Sequence, residues 1–214
     1  MDEKNELEQA KSRLFRNTKS GSVRVGAEVL ARADAYCEAY KAFLDEAKTE
    51  REAVSYTIRA AEQHGYRPFD PAAHYAPGDR VYVNNRSKSI ILATFGKRPV
   101  AEGIHLAAAH IDSPRLDLKP NPLYEKNDLA FLDTHYYGGV KKYQWTTIPL
   151  ALHGRIVKTD GTAIDVRIGE QPGDPQFCVT DLLIHLSAEQ QSKTLGTAIE
   201  GEALDVLAGS RAYR

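Results

Sequence analysis

The pentapeptide HIDSP, residues 110–114, closes an apolar run, GIHLAAA, with an imidazole, a carboxylate and a proline. In a strand, residues i and i+2 face the same side, so His110 and Asp112 share a face at the strand's C-terminal edge. Open α/β sheets bind ligands beyond that edge. In such a pair one ring nitrogen can hold a metal while the carboxylate orients the ring and raises its basicity. Pro114 has no N–H for a ladder, so it ends the strand and opens a turn. The bland reading stands beside this one: HxD is common by chance, and a histidine at a strand end is more often a hydrogen-bonded structural residue. A catalytic zinc needs about three protein ligands and a water. HIDSP supplies one ligand and one supporting carboxylate.

The other polar residues give weaker signals. His64 precedes Gly65 and reads as a helix C-cap. His74, His105, His135 and His153 offer no carboxylate pairing that points to a metal. His185, in LLIHL, reads from pattern alone as a polar position on a half-buried element. Asp117 alternates with Arg115 as on a strand, whereas Asp128 and Asp133 read as solvated loop residues. Trp145 reads as packing, and Cys37 as core on an apolar helical stripe. Gly138–Gly139 is too short for a phosphate loop. There is no GxSxG elbow for a serine hydrolase.

Several elements must carry these residues. Residues 2–17 favour helix by composition, and residues 17–26 read as a loop. Residues 28–46 place Val29, Leu30, Ala33, Tyr36, Cys37, Tyr40, Phe43 and Leu44 on one helical stripe. Residues 49–64 repeat the pattern, with Thr49 and Glu52 spaced as a capping box and Gly65 as the stop. RVYVNN and SKSIILATFG read as a hairpin or adjacent strands. GIHLAAAH reads as a strand buried on both faces. Helices followed by such strands predict a layered α/β domain. Residues 120–144 are turn-rich and aromatic. WTTIPLALHGRIV and TAIDVRIG read as strands joined at KTDG, and FCVTDLLIHLSAEQQ begins β-like and turns helical. The change in texture places a boundary near residue 115, with 1–114 in one domain and 115–214 in a β-rich module.

Length and composition bound the function class. The chain has 214 residues, enough for one large domain or two small ones. Apolar residues make up 42%, charged residues 27%, and the formal net charge is -1. That balance gives no general attraction to nucleic acid or to an anionic membrane. Only Cys37 and Cys178 are present, which favours a reducing cytoplasm over a disulfide framework. The polar N-terminus has no apolar signal-peptide core, and no stretch reaches the length of a membrane span.

AAAHIDSPRLDLKPNPLY, YYGGVKKYQWTTIPLALHGRIV and FCVTDLLIHL, in that order, resemble the aspartyl aminopeptidase / aminopeptidase I family of zinc metallopeptidases, family 18. AYKAFLDEAKTEREAV and VNNRSKSIILATFGKRP also resemble its N-terminal segments, so the resemblance runs from about residue 35 to the end. It implies a partial zinc-peptidase-like α/β sandwich with an inserted β-rich dimerisation, or lid, domain. His110 matches the family's first zinc ligand, and Asp112 the carboxylate that steadies it. His185 matches a histidine that reaches the partner subunit's active site and stabilises the tetrahedral intermediate, where a well-placed donor is effective. The implied substrates are peptides with a free N-terminus, and the implied assembly is a homo-oligomer built through the dimerisation domain.

The resemblance also implies two zinc ions per complete site. They need a bridging carboxylate, further ligands and a general base. In the family these come from a C-terminal half. Glu200, Glu202 and Asp205 do not fall in those motifs. The expectation is therefore the N-terminal half of a longer enzyme, as a truncated gene product, a deliberately shortened chain or one half of a split enzyme, and the resemblance does not extend to activity of this half alone. The alternative is a non-catalytic oligomerisation remnant of the same family.

Overall fold

A computed structural model describes residues 3–15 and 18–213. The chain divides into two compact units, Met1–Glu46 and Ala47–Arg214.

The first unit is helical. α1 (Glu3–Leu14) carries Lys11 and Arg13 in its last turn, where cations suit the negative end of the helix. The outer ends of the helix expected over 2–17, Asp2 with Arg16 and Asn17, lie outside the described residues. α2 (Gly21–Arg24) is one short turn inside the expected loop. α3 (Ala27–Glu46) confirms the helix expected over 28–46, yet it buries none of its residues. Tyr36, Tyr40 and Val29 are exposed, and so is Cys37, against the expectation of a core position. An apolar stripe is buried only when a second surface covers it, and the described residues of this unit supply none.

The second unit begins with α4 (Glu50–Gln63). Thr49 accepts from the Glu52 N–H and the Glu52 carboxylate reaches back, completing the expected capping box. Its buried residues are Ala53, Val54 and Ala61. His64 caps the C-terminus, and Gly65, at φ 80°, turns the chain out as Tyr66 N–H returns to the Ala61 carbonyl. A three-stranded sheet follows: β1 (Arg67–Pro68) runs parallel to β2 (Arg80–Asn85), which pairs antiparallel with β3 (Ser89–Thr94). Val81 and Tyr82 are buried, and the Tyr82 hydroxyl donates to Glu62 of α4 at 2.8 Å.

The run GIHLAAAH does not form the expected strand. Residues 103–110 are exposed and outside any ladder. A strand exists by pairing, and no strand among the described residues lies beside this one.

Residues 120–144 are more regular than their turn-rich composition suggests. β4 (Arg115–Lys126) and β5 (Leu129–Tyr137) form a hairpin closed by Asn127 and Asp128 at φ 53° and 61°. Asn and Asp tolerate that left-handed backbone, which two-residue hairpin turns require. Pro120 and Pro122 sit where the register shifts between Leu118 and Leu123, on an edge strand that tolerates missing donors. Asp133 therefore lies in β5, not in a loop, and its carboxylate meets Lys119 at 2.8 Å. β6 (Leu152–Val157) and β7 (Ala163–Ile168) form the hairpin expected around KTDG. β8 (Cys178–Val179) and β9 (Val206–Gly209) complete a sheet of order β4-β5-β9-β8. α5 (Ala188–Ser192) is a short helix. The core of this sheet is Val179, Leu204 and Val206, with Trp145, Leu150 and Phe177 packed against it.

Candidate functional site

His110 and Asp112 meet side by side. His110 Nδ1 lies 3.2 Å from Asp112 Oδ1 and 3.3 Å from the Asp112 carbonyl. The i, i+2 relation places them together because the stretch is extended, although it is not paired into a sheet. The imidazole is 87% exposed and the carboxylate 41%. With Nδ1 turned to Asp112, Nε2 is the ring nitrogen left for a ligand.

The other Asp112 oxygen is taken from the second half of the chain. The Tyr137 hydroxyl, at the end of β5, donates to Oδ2 at 2.9 Å. This hydrogen bond is the main reason the Asp112 carboxyl sits below its usual range, with the His110 ring adding to it. The same bond pushes the Tyr137 phenol up. Above the Tyr137 ring lies the Arg115 guanidinium, 4.0 Å from the centroid. Its Nε donates to Asp117 at 2.7 Å, and its Nη1 is 3.9 Å from Glu50 in the first turn of α4. Nothing in the spacing of the sequence pointed to Tyr137 or Arg115.

His185 sits in a 3-10 turn, Ile184–Leu186, and is exposed. Leu182, Leu183 and Leu186 beside it are 54%, 72% and 70% exposed. No hydrogen bond or ion pair among the described residues joins His185 to His110 or Asp112. A cavity of about 330 Å³ opens next to this turn, lined in part by Asp181, Leu186, Gln190 and Lys193.

A third histidine has partners that sequence spacing did not show. His153 of β6 places Nδ1 3.0 Å from Glu52 and Nε2 2.8 Å from Glu170. Arg167 of β7 donates to the same Glu52 oxygen at 2.7 Å. Each ring nitrogen already faces a carboxylate, so this cluster ties the β6–β7 hairpin to α4.

Among the described residues no group of three or more His, Cys, Asp or Glu converges to hold a metal. The donor chemistry of His110 with Asp112 fits one zinc ligand and its supporting carboxylate, and nothing more of a zinc site.

A family model described as aminopeptidase I zinc metalloprotease (M18) matches residues 43–212. A probable M18 family aminopeptidase 1 from Clostridium acetobutylicum is 53% identical over 175 residues, covering 80% of this chain and 38% of that protein. Its counterpart from Thermotoga maritima is 43% identical over 178 residues, covering 83% and 39%. The fold is similar to part of the crystal structure of an M18 aminopeptidase from Thermotoga maritima, with a TM-score of 0.83 at 39% identity over 92% of this chain and 42% of the other. Aminopeptidase I from Clostridium acetobutylicum gives 0.79 at 46% identity, over 92% and 44%. The chain thus spans about two-fifths of the length of the relatives it matches.

Proposed function

The chain belongs to the aminopeptidase I (M18) family of zinc metalloproteases, and we propose on that basis that it forms the N-terminal part of a zinc aminopeptidase that releases residues from peptides with a free N-terminus. The observation that carries the site is the His110–Asp112 contact, with Nε2 left open. His110 holds one zinc and Asp112 sets the tautomer and orientation of its ring. Two ions serve the complete site, and the remaining ligands and the base come from outside these residues. Bound there, zinc would lower the pKa of a water so that it is available near neutral pH as a hydroxide nucleophile toward an amide carbonyl.

Residues 1–114 are assigned to the peptidase domain and 115–214 to an inserted lid and dimerisation module. The exposed leucines around His185 support self-association through that module, as contiguous apolar surface marks interfaces. His185 would then act across the dimer at the developing oxyanion of the partner's substrate. Two free cysteines suit a cytoplasmic setting. No described helix is long and apolar enough to cross a membrane.

The test is hydrolysis of peptides with free and with acetylated N-termini by the longer enzyme to which we assign the chain. Zinc-dependent cleavage of the free peptide alone, abolished by His110→Ala, is expected. Unchanged activity in His110→Ala would overturn the assignment.

A further inference from the structure

We propose that Tyr137 is a positioning residue for His110, acting through Asp112, and that Arg115 holds the Tyr137 ring in place. The inference rests on the reading of His110 as a zinc ligand.

Residues 104–114 make no backbone–backbone hydrogen bond among the described residues. No ladder therefore fixes the direction in which Asp112 points. What reaches it comes from β5: the Tyr137 hydroxyl donates to Oδ2 at 2.9 Å, and the next residue, Gly138, lies against Pro114, where an added Cβ would stand 3.7 Å from the Pro114 Cα. With Oδ2 held on that side, Oδ1 is presented to His110 Nδ1. A ring that carries its proton on Nδ1 keeps the lone pair of Nε2 for a metal. Behind Tyr137 the line continues through Arg115, stacked on the ring and anchored by Asp117, toward Glu50 at the start of α4. The β-rich module is thus wired in cis to the metal-binding half-site. Exposed polar contacts of this kind add little to stability, so the effect is expected on the imidazole and not on unfolding.

The experiment uses the 214-residue chain labelled with 15N. The ring nitrogens of His110, assigned with His110→Ala, are read by long-range 1H–15N correlation at a pH where the ring is neutral. In the wild type the Nδ1–H tautomer predominates. Tyr137→Phe shifts the population toward Nε2–H and raises the zinc concentration at which Nε2 responds by about 10-fold, the scale seen for residues that support metal ligands. Its unfolding midpoint stays at the wild-type value. Arg115→Ala moves the tautomer in the same direction. In an Asp112→Asn background Tyr137→Phe adds nothing, as a shared route requires.

An unchanged tautomer in Tyr137→Phe overturns the proposal, and so does an equal further shift in the Asp112→Asn background. Zinc that leaves wild-type Nε2 unmoved sinks the ligand reading instead, and the tautomer comparison still decides the role of Tyr137.

Discussion

His153 on β6 places its Nδ1 3.0 Å from Oε1 of Glu52, in the first turn of α4. Glu52 thereby joins a helix cap to a hairpin 101 residues later in the chain.

Glu52 makes the stability of this junction pH-dependent. Burial pushes its carboxyl up, but hydrogen bonding from His153 and the charges of His153 and Arg167 outweigh it, and the group lies below its ordinary value of 4.5. A carboxyl lowered by folding stabilises fully above its unfolded-state value and loses that contribution as pH falls through the folded value. Unfolding free energies between pH 7 and pH 3 should therefore fall on the acid side, and Glu52→Gln should flatten the curve. Parallel curves for the two proteins would contradict this.

Removing the ring at the junction should be costly, because His153 is only 10% exposed and its side chain meets two carboxylates. His153→Ala is expected to lower stability by about 2 kcal/mol, within the range for hydrogen bonds to charged groups. Urea denaturation measures it, and a change within error of zero would show that the contacts are immaterial.

Thr134 locks the core of the β-rich sheet. It is 1% exposed and its hydroxyl donates to the Leu204 carbonyl at 2.6 Å, beside a Leu204 side chain that is fully buried. Thr134→Val keeps the shape and leaves a carbonyl unpaired, at a cost of about 1–3 kcal/mol. The same denaturation experiment reads it, and wild-type stability would mean that the carbonyl finds another partner.

The leucines flanking His185 predict self-association. Sedimentation should show a species larger than the monomer, and Leu183→Asp combined with Leu186→Asp should reduce it to the monomer. A wild-type chain that sediments only as a monomer would count against a dimerisation surface here.

What was legible in the sequence was local. Thr49 and Glu52 announced the start of α4 because a capping box needs only three residues of spacing, and KTDG announced the β6–β7 turn. The β4–β5 hairpin was hidden by Pro120 and Pro122, which read as loop although an edge strand tolerates them. GIHLAAAH has the composition of a buried strand, but composition does not supply the neighbours that a ladder requires. His110 and Asp112 meet because their spacing is short. Tyr137, 25 residues from Asp112, and Glu52, 101 from His153, are brought close only by the fold, and no spacing in the chain announces either contact.

Zinc binding by the 214-residue chain, measured by equilibrium dialysis in metal-free buffer for the wild type and for His110→Ala, tests the assignment of His110 most directly. A single supported ligand predicts weak, saturable binding in the wild type that disappears in His110→Ala. Equal zinc binding by the two proteins would contradict the assignment.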